Sequence, residues 1–243
     1  MSTTSLMLLF ALLPIVILLI HIYVIDKYQK EPIGKIALSF FAGVASLFIA
    51  LVLVHYSPLT EYIEGIQGVG SGVLEAFFNA AIPEEMAKLF MLWLVLRRNI
   101  YFDEKVDGIV YAVSLSLGFA AFENLLYIFQ NYPDWENVAV MRAIFAVPGH
   151  YCYGVLMGYF YSKVKFASHP SVKDMVMVLL APVLAHGIYD SLLFEMENIN
   201  PGFVFFMSSV FVIFTILLWK HSKKKIREHL NADKEYFDRT TID

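Results

Sequence analysis

The chain has 243 residues, 58 % of them hydrophobic and only 16 % charged, with a mean hydropathy of +0.62, which excludes a soluble globular domain with a charged surface. A net charge of −4 and a pI near 6.0 exclude a strongly basic nucleic-acid binder. Cys152 is the single cysteine, so there is no internal disulfide and no cysteine-built metal cluster.

The apolar residues fall in blocks of about twenty, the length an α-helix needs to cross about 30 Å of hydrocarbon. Strict alternation, the mark of a membrane β-barrel, is missing. The pattern predicts an all-α, polytopic membrane helix bundle of about seven spans. The first, 6–25, has no basic segment before it and no small-residue cleavage pattern after it, so it reads as a retained helix. The second, 34–54, has no ionisable residue at comparable depth and reads as packing. The third, 72–96, carries Glu75, Glu84, Glu85 and Lys88, the fourth, 109–129, Glu123, and the fifth, 138–161, Arg142 and His150. The sixth, 174–194, holds His186 and Asp190, and the seventh, 202–219, is apolar again. One bundle over 1–222, with working spans in 72–194, and a charged cytoplasmic tail over 223–243 complete the domain reading. The tail is expected to be solvated.

The connections set the orientation, because Lys and Arg near span ends stay on the cytoplasmic side. Basic residues lie in the first (Lys27, Lys30, Lys35), third (Arg97, Arg98, Lys105) and fifth (Lys163, Lys165, Lys173) connections and in the tail (Lys220, Lys223, Lys224, Lys225, Arg227). The other connections carry Glu61, Glu64, Asp134, Glu136, Glu195 and Glu197 and no Lys or Arg. Seven spans with the N-terminus outside and the C-terminus cytoplasmic satisfy every connection at once.

A charge at membrane depth costs about 2.5–3.5 kcal/mol even on a lenient scale, so it persists where it is paired or needed for chemistry. At about 1.5 Å per residue, Glu84 and His150 fall roughly 18 Å below the predicted outer ends, His186 about 12 Å and Glu123 about 9 Å. The four are expected to share a layer. Glu75 and Arg142 sit about one turn below the outer face and read as a structural ion pair. Lys88 is four residues from Glu84 and three from Glu85, so it can neutralise either. Pro83 can open the helix just before the two acids. His186 and Asp190 are four apart on one face, which lets the aspartate orient the imidazole. Cys152 reads as a buried thiol.

Two histidines and a glutamate can hold a divalent metal with an open position, leaving another glutamate to take a proton from water. Without metal, the Glu84/Glu85 pair could activate water itself while a histidine stabilises the oxyanion. Both routes end in hydrolysis. The same buried set also suits an ion- or proton-coupled transporter, although the paired interrupted helices of such folds are missing. A third reading is a silent scaffold that binds partner helices.

Glu84-Glu85-x-x-Lys88, Phe119-x-x-x-Glu123-Asn124, His150 and His186-x-x-x-Asp190, in that order on successive spans, resemble the PrsW family of bacterial intramembrane proteases. That family is distantly similar to the CAAX prenyl endopeptidases. Lys88 lies one position earlier than the arginine usual in those endopeptidases, and Glu123 stands where they carry histidine, which favours the PrsW-like reading. The resemblance implies a multi-pass peptidase of the bacterial cytoplasmic membrane that cuts a transmembrane substrate such as an anti-sigma factor, with one divalent metal, zinc above others. Carried onto this chain, it makes Glu84, Glu85 and Lys88 the catalytic group and Glu123, His150 and His186 the metal group. Asp190, Asn124 and Phe119 support them.

Overall fold

In the computed structural model, residues 2–240 are described; positions 241–243 of the expected tail lie outside them. Among the described residues there are helices and no strands. The helices are α1 (Thr3–Ile25), α2 (Ile33–His55), α3 (Pro58–Glu64), α4 (Ser71–Glu75), α5 (Ile82–Leu96), α6 (Lys105–Gln130), α7 (Trp135–Met141), α8 (Val147–Phe166), α9 (Val172–Phe194) and α10 (Pro201–Thr240). Five of these, α1, α2, α6, α9 and α10, are long and apolar enough to cross a membrane. Both remaining expected spans are continuous helical runs broken by a change of pitch. A π-helical segment, Ala76–Ala81, joins α4 to α5, and another, Arg142–Ala146, joins α7 to α8.

The cause of both breaks is in the sequence. Pro83 and Pro148 each stand two residues beyond a π segment. Proline offers no N–H and its ring crowds the carbonyl four residues back, so the ladder there must re-pair. It does so one residue further on: Ile82 N–H donates to Phe77 O, and Val147 N–H to Arg142 O. Such π bulges recur at functional sites.

Helix α6 is the axis of the bundle, buried along most of its length and packed by α1, α2, α8 and α10. Small residues allow that crowding. A Cβ on Gly118 would run into the backbone carbonyl of Phe40 on α2, and one on Gly158 of α8 into the backbone of Gly108. Close backbone approach supplies the dispersion contacts that hold helices together where lipid is as apolar as leucine. By contrast, α1 buries only one stripe, Met7, Ala11, Ile15 and Ile22, and leaves Leu8, Leu9, Val16, Ile17 and Ile20 outward. A lipid-facing helix needs no polar side, so its sequence shows no amphipathic period.

Two ends of the bundle are marked by contacts between connections. At one end, Glu31 faces Tyr111 near the start of α6, Phe102 packs on Phe166, and Asp233 of α10 accepts from the Lys105 and Val106 amides. At the other, Phe10 packs on Trp135, and Glu195 accepts from the Gly70 and Val73 amides.

The tail corrects the sequence reading. Residues 223–240 continue α10 without a break, and this 40-residue helix is about 60 Å long at 1.5 Å per residue, twice the hydrocarbon thickness. Its far half is not simply solvated. Ile226, His229 and Asp233 are buried, His229 Nε2 lies 3.0 Å from Tyr159 O with its ring stacked on that tyrosine, and Tyr159 donates to Glu228 at 2.6 Å. The charge alternation that suggests a solvated tail hides this third face.

Candidate active site

Residues from α5, α6, α8 and α9 meet at a cavity of about 240 Å³ lined by Glu84, Glu123, His150, Tyr153, His186 and Asp190, among others. Each reaches it for a local reason. The π segment before Pro83 re-aims the first turn of α5, which starts with Glu84 and Glu85. The same device sits before His150. Pro182 lies one turn before His186 inside α9.

Adjacent residues on a helix point about 100° apart, and this separates the two glutamates. Glu84 faces the cavity, whereas Glu85 is fully buried behind it. Lys88, with 0 % exposure, stands between them: Nζ lies 2.8 Å from Glu85 Oε1, 3.2 Å from Glu84 Oε2 and 3.3 Å from His150 Nδ1, over the Phe119 ring. An ammonium can only donate, so Nδ1 of His150 accepts. Nε2 then carries the proton, 3.0 Å from Glu123 Oε2.

His186 is held from both sides. Its Nδ1 is 2.9 Å from Glu85 Oε1, and its Nε2 is 3.0 Å from Asp190 Oδ2 and 3.9 Å from Glu84 Oε2. A proton on either ring nitrogen therefore has an acceptor. The expected pairing of His186 with Asp190 is present.

Arg142 is not the partner of Glu75. It bonds Glu123 directly, donates from Nε to Asn124 Oδ1 at 2.7 Å and lies over Tyr127, while Glu75 is exposed. Depth along a helix carries no azimuth, and depth was the only measure behind the Glu75 pairing. The short connection between α6 and α7 holds a better signal: Glu123 is seven residues before the end of α6 and Arg142 seven after the start of α7, so the hairpin brings them level. Asn124 also ties α6 to α1, donating to Ala11 O at 3.1 Å.

Glu123, His150 and His186 do not themselves form the tightest trio. At this cavity, the groups whose ligand atoms come within 4.8 Å of one another are Glu84, Glu123 and His150, and Glu84, Glu85 and His186. Glu84 belongs to both. Tyr153 was not anticipated. It follows His150 by one turn, its ring stacks on His186 at 4.6 Å, and its buried hydroxyl has no partner among the described residues. The i, i+3 spacing from His150 was the available signal.

A family model described as PrsW family intramembrane metalloprotease matches residues 31–218. A protein named Protease PrsW from Oceanobacillus iheyensis is 37 % identical over 206 residues, covering 85 % of this chain and 87 % of that one. The Clostridioides difficile protein of that name is 30 % identical over 232 residues, with 94 % and 93 % covered, and the Bacillus subtilis one 32 % identical over 217 residues, with 88 % and 91 % covered. No solved structure matches the chain significantly. The chain belongs to the PrsW family of intramembrane proteases.

Proposed function

We propose that this chain is a zinc-dependent endopeptidase of the bacterial cytoplasmic membrane, cutting a single-pass substrate such as an anti-sigma factor near its outer membrane boundary. The observation that carries this reading is the convergence of Glu84, Glu123 and His150 on one cavity wall, their ligand atoms within 4.8 Å of one another.

The residues fit a divalent metal. Around the cavity, Glu84, Glu85, Glu123 and Asp190 stand against Lys88 and Arg142, two more carboxylates than cations. Such an excess at membrane depth calls for compensating positive charge, which a divalent ion would supply beside His186, held between Glu85 and Asp190. One imidazole nitrogen and carboxylate oxygens are a donor set that suits zinc. Glu84, Glu123 and His150 would hold the ion, which when bound polarises the scissile carbonyl and acidifies the attacking water.

The remaining steps belong to the protein. His186 and Asp190 act as one unit: both imidazole nitrogens are held by carboxylates, and Asp190, which lines the cavity, takes the water proton and returns it to the leaving amine, a role the sequence reading gives to Glu84 or Glu85. Glu85 and Asp190 orient that imidazole, and the free Tyr153 hydroxyl donates to the carbonyl oxygen as it gains charge. Lys88 neutralises Glu84 and Glu85, and Arg142 holds Glu123 in place; to ligate, His150 would shift its proton from Nε2 to Nδ1 and give up the Lys88 contact. Water activated directly by Glu84 without metal is the second reading, favoured by the 3.9 Å approach of Glu84 Oε2 to His186.

A seven-span arrangement, read from the charges of the connections, would fit this placement. The basic connections and the tail lie at one end of the bundle and the acidic ones at the other, as alternate crossing requires. The test is metal content and cleavage of a single-pass anti-sigma substrate by detergent-purified protein. Wild type is expected to carry near-stoichiometric zinc; His150→Ala loses metal and cleavage, and His186→Ala loses cleavage alone. Normal cleavage by His186→Ala overturns the assignment, and full activity in metal-free wild type moves it to the second reading.

A further inference from the structure

Away from the active site, at the end of the bundle where α1 meets α2 and α6 begins, five acidic residues are buried together: Asp26, Glu31, Glu104, Asp107 and Asp233. Part of this is structural. Asp107 Oδ2 accepts from the Asp103 and Glu104 amides, Asp26 Oδ2 accepts from the Glu31 amide, Asp233 takes the Lys105 and Val106 amides, and Tyr111 donates to Glu31. Acids at a helix N-terminus also meet the positive end of its dipole.

These bonds leave a remainder. Among the described residues, Asp26 Oδ1 and Asp107 Oδ1 are buried with no hydrogen-bond donor, and Glu104, whose side chain meets the Asp107 amide in a capping box, keeps a buried carboxylate oxygen without one. Each of the three side chains is at least nine-tenths buried, and oxygens from all three lie within 4.8 Å of one another. Among the described residues, none of the five acids makes an ion pair. The nearby Lys30 ammonium is spent on the backbone carbonyls of Tyr23 and Asp26. Beside the acids opens a cavity of about 460 Å³ lined by Asp103, Glu104, Lys105 and Asp233.

Orphaned buried acceptors are costly, and three carboxylates without a cation cost more. We propose that Asp26, Glu104 and Asp107 form a second metal site, distinct from the protease centre, that takes a hard divalent cation of the magnesium or calcium class. An all-oxygen, thiol-free and imidazole-free donor set selects such ions over zinc. The cavity beside Glu104 and Asp233 gives the ion a path and room for the waters it keeps. Bound there, it clamps the 26–32 connection to the start of α6, next to the point where α10 caps that helix.

The test uses full-length protein carrying His150→Ala, which empties the protease centre, stripped with chelator and titrated with Mn2+ as a paramagnetic probe. Near-stoichiometric binding is expected, competed by Mg2+ or Ca2+, with a rise in unfolding temperature. Glu104→Gln and Asp26→Asn should each weaken binding at least tenfold while Cys152 stays as protected as in the parent, which shows the variants folded. No saturable binding, or binding unchanged in both folded variants, overturns the proposal. So does a chelator-stripped protein that gains stability on acidification but not on adding ion, which would mean that protons neutralise the cluster.

Discussion

Lys88→Met tests whether the buried carboxylates are ionised and dependent on one ammonium. The substitution keeps the length of the side chain and its place over Phe119 but removes the charge. Lys88 and Glu85 have 0 % side-chain exposure and meet at 2.8 Å. Losing one partner of a buried pair costs about 3–5 kcal/mol, because the other charge stays behind unpaired. For a chain of this size, each kcal/mol shifts the unfolding temperature by about 2–4 °C, so a fall of roughly 6–20 °C is expected. The chain carries its own reporter: Cys152 is the only cysteine and is buried in α8, so a thiol-reactive fluorophore reads the opening of the bundle during a thermal ramp in detergent. In Lys88→Met/Glu85→Gln both charges are gone, and more than half of the loss should return. A single variant within about 2 °C of wild type, or a double variant no better than the single, would refute the reasoning.

Asp190→Asn keeps the shape of the contact to His186 but alters its proton acceptor; cleavage should fall about 10–100-fold with metal content and unfolding temperature near wild type, and unchanged cleavage would remove Asp190 from the mechanism. Gly118→Val drives a branched side chain into the Phe40 carbonyl and should cost about 1–3 kcal/mol or more by forcing α2 away from α6, read as lower yield and earlier exposure of Cys152. Asp233→Ala removes the acceptor for two amides at the start of α6 and should cost about 1 kcal/mol while speeding proteolysis of 223–240; an unchanged digestion pattern counts against docking of the tail. Cysteines placed at Asn198 and at Ser168 in a Cys152→Ser background should react differently with a membrane-impermeant maleimide on intact cells, Asn198→Cys labelling and Ser168→Cys not, and the reverse pattern would invert the proposed orientation.

Which groups meet was largely legible in the sequence; how they share the work was not. Lengths of apolar runs locate the helices, and distance along each helix brings Glu84, Glu123, His150 and His186 to one layer, where the cavity holds them. The Glu75 and Arg142 pairing fails because a one-dimensional depth cannot say which way a side chain points, whereas the hairpin that sets Arg142 against Glu123 depends on a turn of known length. Tyr153 goes unnoticed because aromatic residues are common in apolar helices, and only its unpartnered hydroxyl marks it. The buried acids Asp26, Glu31 and Glu104 sit in connections, where sequence reasoning assigns charge to solvent. Beside them α10 packs Phe237 on Tyr28 and Asp233 on the start of α6, contacts that the alternation of charges after Trp219 conceals.

The Glu84-Glu85 doublet shows why adjacency in sequence does not mean equivalence in chemistry. Two carboxylates side by side on a helix diverge by about 100°, so one can line the cavity while the other is enclosed by protein. Glu85 is enclosed, bound to Lys88 and to Nδ1 of His186, and so links the ammonium beside His150 to the imidazole paired with Asp190. Glu84 meets the same Lys88 from the cavity side and stands within reach of both the Glu123–His150 wall and His186. A single lysine thus serves both acids and both histidines, and a change at Lys88 disturbs each of them at once. The helix break before Pro83 makes this arrangement possible: a regular α-helix through 76–81 would rotate the doublet relative to α9, and Glu84 would no longer face His186 across the cavity.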